Sequence, residues 1–385
     1  MNRESTSPPR SPAGPEESGK GSAATEARVF HTLDALRGVA AIGVVAFHMG
    51  QVFSPIATPG GYLAVDLFFI MSGVVLSHAY EARFKAGMGT FEFMRLRLIR
   101  LYPLYFLGLL LGIVVTVASM FGRNSVNWDA SSLSVAILLA LLFLPNLSGR
   151  PVDTLFPLNI PCWSLFLEIV INLLFVLLWP LLTKRRLIVA SLLAGVAVGT
   201  ATLYAGNGDQ GSTASTLAVG LARTIFGFSI GVLIARHVPR VRRSESNWAV
   251  LAIMAVVVAS LSGWPQGAWR AIWDALCMLV VFPLVVYWGT LVDPGARLRR
   301  VATFLGVTSY AVYVLHSPLS SVLNSATRSL AGRTGGDVGA PWLGIVVLAA
   351  LLAGAWFVDR HFDMPVRRLL GRVIPRTGAT RIASP

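Results

Sequence analysis

Apolar runs long enough to cross a bilayer recur along the chain, separated by short polar or basic stretches. A spanning helix needs about 20 predominantly apolar residues. Runs of that order cover about 34–53, 62–80, 101–121, 162–182, 187–205, 216–235, 248–263, 270–291, 303–323 and 341–358. A further run, 133–145, is shorter and ends at Pro145; runs of about 10–14 residues are more often re-entrant or interfacial. The pattern predicts an all-α polytopic membrane protein with about ten transmembrane helices plus one short re-entrant or interfacial segment. Residues 1–30, rich in Ser, Pro, Gly and charge, read as a disordered tail, 31–370 as the membrane domain and 371–385 as a short basic tail.

Composition agrees: 55% of residues are hydrophobic and 13% charged, with mean hydropathy +0.67, against about 25% charged in a soluble domain. Charge adds direction. Basic clusters at Arg95–Arg100, Lys184–Arg186, Arg236–Arg243, Arg297–Arg300 and from Arg360 onward read as cytoplasmic loops under the positive-inside rule. Loops on one side must be separated by an even number of crossings, which holds if 133–145 does not cross. Both termini are then cytoplasmic and the protein is integral to the cytoplasmic (inner) membrane. The net charge of +14 resides in these clusters and is no sign of a nucleic-acid partner. Cys162 and Cys277 have no metal or disulfide spacing, and the polar N-terminus does not resemble a cleavable signal peptide.

Ionisable residues inside a span cost free energy and mark functional sites by default. Arg37 and His48 lie eleven residues apart in the first run, close to three helical turns, so they share a face about 16 Å apart in depth. The loop charges place Arg37 near the cytoplasmic face and His48 in the outer half, with Asp66 and Glu168 in the outer halves of their own spans. Ser164, Glu168 and Asn172 form a polar stripe beginning beside Trp163, and Tyr310, Tyr313 and His316 share one side of a later span. An inner cationic pole of Arg37, Arg95, Arg97 and Arg100 therefore faces an outer pole of acid–base groups. Arg97 and Arg100, at i and i+3, suit a phosphate. Plainer readings stand beside these: loop arginines that only set topology, a hydrogen-bonded core histidine, and an Asp66 that only satisfies helix-start amides. A proton-coupled exporter of a glycoconjugate would use the same polar residues as a relay.

The ordered motifs resemble those of the acyltransferase 3 family of transmembrane acyltransferases. They are Leu33-Asp34-Ala35-Leu36-Arg37-Gly38 through Phe47-His48, Val65-Asp66-Leu67-Phe68-Phe69, Arg97-Leu98-Ile99-Arg100, Trp163-Ser164-Leu165-Phe166-Leu167-Glu168, Ser309-Tyr310 through His316-Ser317-Pro318, and Asp363-Met364-Pro365. Asp363 stands where that family usually has glutamate. The resemblance implies transfer of an acyl group, usually acetyl, from cytoplasmic acyl-CoA to a hydroxyl of a carbohydrate or glycolipid acceptor, with no metal. It implies that His48 is the base or acyl carrier, oriented by Asp66 or Glu168. Arg37, Arg97 and Arg100 would hold the donor, and Trp163, Ser164, Tyr313 and His316 would contact the acceptor. Some members carry an extracytoplasmic esterase-like domain. With only a short basic tail after residue 370, such a domain is expected to be absent, and a separate extracytoplasmic transferase is then an expected partner.

Overall fold

The apolar runs all form helices, and the ends of several are written in local chemistry. In the computed structural model, which describes residues 29–121, 128–238, 244–334 and 339–373, α1 (His31–His48) is followed by the short α2 (Gly50–Phe53), α3 (Ala64–Lys85), α4 (Thr90–Met120), α5 (Ala130–Leu141) and α6 (Cys162–Leu178). Next come α7 (Lys184–Ala205), α8 (Leu217–His237), α9 (Asn247–Leu261), α10 (Trp269–Leu276), α11 (Phe282–Leu291), α12 (Ala296–Thr334), α13 (Trp342–Val358) and α14 (Met364–Val373). The Thr183 side chain caps α7, and Gly206, with a left-handed φ of 80°, ends it. Turns of π-helix join α10 to α11 and α13 to α14. The tail expected over 1–30, save its last two residues, lies outside the described residues, as does the basic tail from 374 on and the end of the Arg236–Arg243 cluster.

Among the described residues six helices can cross a membrane by length and composition: Gly61–Lys85, Thr90–Met120, Lys184–Ala205, Leu217–His237, Trp269–Leu291 and Trp342–Val373. The protein is a helical multi-pass membrane protein, but the expected count of ten is not reached on that measure. Some remaining helices are short: α6 has 17 residues and α9 has 15. The run expected at 303–323 belongs to a helix of 39 residues, because the basic stretch Arg297–Arg300 is helical too.

Two pairs of parallel helices form the frame. α1 packs extensively on α12, and α3 on α8. Along the first pair the register is nearly constant, with His31 beside Thr303 and His48 beside His316. A Cβ on Gly38 would overlap the Cβ of Leu305, so the glycine sets how closely α1 and α12 approach. Along the second pair Asp66 meets Arg223 and, four turns on, Glu81 meets Arg236.

α5 is the short run 133–145. An Asp129 capping box starts it near the far end of α4, and twelve residues later it stops against the middle of α4. There the hydroxyls of Tyr102 and Tyr105 donate to the carbonyls of Leu141 and Ala140 at 2.8 and 2.7 Å. Side chains thus satisfy backbone groups that lipid could not, which is the condition for ending a helix at membrane depth. The segment leading back to α6 is held by Asn159, whose amide donates to the Val314 carbonyl at 3.0 Å.

Candidate functional site

At the C-terminal end of α1 two imidazoles meet. His48 Nδ1 lies 3.0 Å from the Val44 carbonyl and 3.3 Å from His316 Nε2. His316 is fully buried, and its Nδ1 lies 3.2 Å from the Val312 carbonyl. His48 is half-buried, and its Nε2 has no hydrogen-bond partner among the described residues. Phe47 packs edge-on against the His48 ring at 4.9 Å between centroids. The Asn324 amide donates to the His48 carbonyl at 3.1 Å, satisfying an end of α1 that would otherwise be open.

Behind His316 stands a buried wall. The hydroxyls of Tyr313 and Ser164 share a hydrogen bond of 2.7 Å, and both side chains are nearly inaccessible. Trp163 is filled in against Gly211 and Gly220 and lies under the Arg223 guanidinium. Tyr313 thus packs against His316 with Ser164 behind it, while Trp163 packs against the glycines and Arg223, and all three side chains are buried.

Neither carboxylate expected to orient His48 touches it. Asp66 is held by Arg223 in a two-pronged ion pair, Nε to Oδ1 at 2.9 Å and Nη2 to Oδ2 at 2.6 Å. The same guanidinium donates to the carbonyls of Tyr62 and Gln210. Glu168 accepts from Arg97 at 3.0 Å and from Ser72 at 2.8 Å. Its partner Ser72 stands six residues further along α3 than Asp66, and Arg97 reaches the carboxylate from α4.

The cationic pole gathers Arg37, Arg97 and Arg100. Arg37 is half-buried beside Asp34 at 3.4 Å, Arg100 is exposed, and Arg97 is buried with its Nε unpartnered. Arg100 is close enough to both Arg37 and Arg97 for its charge to be felt at each. A polyanion would find here an exposed guanidinium, a half-exposed one and a buried donor still to be satisfied, the donor set suited to phosphate.

A second polar network frames the His48 end. The Tyr62 hydroxyl donates to Asp274 at 2.6 Å and accepts from Arg270 at 2.9 Å, and the Gly208 amide donates to Asp274 at 2.8 Å. Asp209, in the α7–α8 loop, keeps solvent-exposed surface within electrostatic reach of His48 and Arg223. The loop crowds it, and this desolvation lifts its carboxyl above the ordinary range against the pull of the Arg223 guanidinium. Sequence reasoning passed over Arg223, Arg270 and Asp274, although each is an ionisable residue inside or beside an apolar run and so carried a signal.

A family model described as an acyltransferase domain matches residues 30–360. The chain is 37% identical to Protein 2 in the picA locus of Rhizobium radiobacter over 155 residues, which is 37% of this chain and 78% of that protein. It is 26% identical over 309 residues to BcsY of Komagataeibacter xylinus, by name a membrane-bound transacylase, covering 76% of this chain and 73% of the relative. No solved structure matches.

Proposed function

The chain belongs to the acyltransferase domain family, and from that membership we propose that it moves an acyl group, acetyl by preference, from acyl-CoA at the arginine pole to a carbohydrate hydroxyl at the histidine pole. The observation that carries the proposal is the placement of both poles on one helix: Arg37 and His48 on α1, with Arg97 and Arg100 beside the first and His316 beside the second. An electrostatic grip on the donor's phosphates and a base near its far end suit a donor with an anionic head and a long arm.

His48 acts at Nε2, the nitrogen with no partner. It takes the proton from the acceptor hydroxyl as that oxygen attacks the thioester carbonyl; the C–S bond breaks, and the imidazolium returns the proton to the departing thiolate. The sum is ester plus free CoA, with no oxidant or metal needed. A positioned base of this kind contributes about 10²–10⁴-fold. Asp209, exposed near His48, receives the acceptor's neighbouring hydroxyls. The positive-inside distribution puts the arginine pole in the cytoplasm of a cell whose inner membrane holds the protein.

The test is transfer by protein purified and reconstituted in vesicles, using labelled acetyl-CoA and a glycan acceptor. Wild type should label the acceptor and His48→Gln should not. Acceptor acylation by His48→Gln at the wild-type rate would remove the proposal. Movement of an unmodified glycoconjugate across the vesicle membrane, with no label transferred, would establish the exporter instead.

A further inference from the structure

Which nitrogen of each histidine bears a proton follows from the two carbonyls. A carbonyl oxygen can only accept, so His48 Nδ1 at 3.0 Å from Val44 and His316 Nδ1 at 3.2 Å from Val312 must both be N–H donors. With its proton on Nδ1, neutral His316 presents a bare lone pair at Nε2, and that atom faces His48 Nδ1 at 3.3 Å. The reverse arrangement, His316 Nε2–H donating to His48, would leave the bare Nδ1 of each ring pointed at an oxygen lone pair. The His48 N–H is therefore shared between the Val44 carbonyl and His316 Nε2, and its own Nε2 is unprotonated and open.

We infer that His316 is a positioning residue that holds His48 in its Nδ1–H tautomer, doing with a neutral imidazole what a carboxylate does in a Ser-His-Asp triad. The inference rests on His48 being the base. When Nε2 takes the acceptor's proton, the new positive charge spreads to an Nδ1–H that already has two acceptors. No charged carboxylate need be buried at this depth, where one would be costly. Complete burial of His316, the Tyr313 ring against it at 5.9 Å between centroids, and the Ser164–Tyr313 hydrogen bond keep its lone pair aimed. The other titratable groups turned toward the pair are Tyr313 on α12, Tyr62 against Phe47, and Asp209 in the α7–α8 loop.

The decisive comparison uses full-length His316→Leu, His316→Gln and His48→Gln, reconstituted and assayed across pH. Removing an acceptor from His48 Nδ1 weakens its hold on a proton. In His316→Leu the acid limb of the rate profile should move to lower pH while kcat falls on the order of 10–100-fold, part of the base's whole contribution, with KM for acetyl-CoA unchanged. Gln, whose Oε1 can accept, should recover part of both. Nitrogen-15 spectra of imidazole-labelled protein should show His48 as the Nδ1–H tautomer in the wild type and a mixture in His316→Leu. An unmoved acid limb and an unchanged tautomer in a folded His316→Leu would overturn the inference, and so would His48 bearing its proton on Nε2. Transfer surviving in His48→Gln would instead overturn the base assignment beneath it.

Discussion

Among single residues, the buried ion pairs have the clearest energetic consequences. Arg97 and Glu168, and Arg223 and Asp66, each exchange two solvated charges for one contact inside the bundle. Such a pair adds little net stability, yet removing one partner strands the other and costs about 3–5 kcal/mol. Arg97→Ala should therefore destabilise more than the double variant Arg97→Ala/Glu168→Gln, which leaves no unpaired carboxylate. Thermal unfolding in one detergent measures the difference. Arg223→Leu, scored the same way, should lose stability on that scale because Asp66 is almost fully enclosed. Function should divide the two pairs. In the proposed reaction Arg97 helps hold the donor, so a folded Arg97→Lys should raise the acetyl-CoA KM. Lys supplies one charge in place of a planar fork, and an unchanged KM would take Arg97 out of donor binding.

Helix packing, rather than any loop, brings the two histidines together. α1 and α12 run parallel with a nearly constant register, and Gly38 lets α12 come close enough for His316 to reach His48. Gly38→Ala puts a methyl group into the Leu305 backbone and side chain, where no flexible tip can yield. It should lower the unfolding temperature and, because Gly38 adjoins Arg37, weaken binding of labelled CoA together with transfer. α5 is the opposite case, since single hydroxyls decide where that helix stops. Tyr105→Phe removes one of two donors to the Ala140 carbonyl, which keeps the Phe143 N–H at 2.8 Å, and should cost about 0.5–1.5 kcal/mol in thermal unfolding, the net worth of one hydrogen bond.

For the molecule as a whole, the proposed reaction requires the poles to face opposite compartments. Cys162 and Cys277 are both buried, so the native chain gives a low background for thiol labelling. Ser54, just past α2 at the histidine end, and Lys85, at the far end of α3, are exposed. In intact cells a membrane-impermeant maleimide should label Ser54→Cys, and should label Lys85→Cys only after permeabilisation. The reverse pattern would invert the orientation taken from the basic loops. Labelling of both in intact cells would remove the two-sided path altogether.

Hydrophobic periodicity by itself determined that the chain is helical and membrane-embedded, and the length of 133–145 set that segment apart from a full span. Those are local properties: how many consecutive residues tolerate lipid, and where charge interrupts them. The Arg37–His48 alignment was legible for the same reason, because both residues lie on one helix with a fixed period. Depth on different helices was not. Assigning it from span ends put Glu168 in the same half as His48, whereas its partner in the bundle is Arg97. Only the tertiary structure could pair His48 with His316, residues more than 260 positions apart, because the register between two helices is set by close packing at Gly38 and Leu305. Hydrophobic pattern carries no information about that contact.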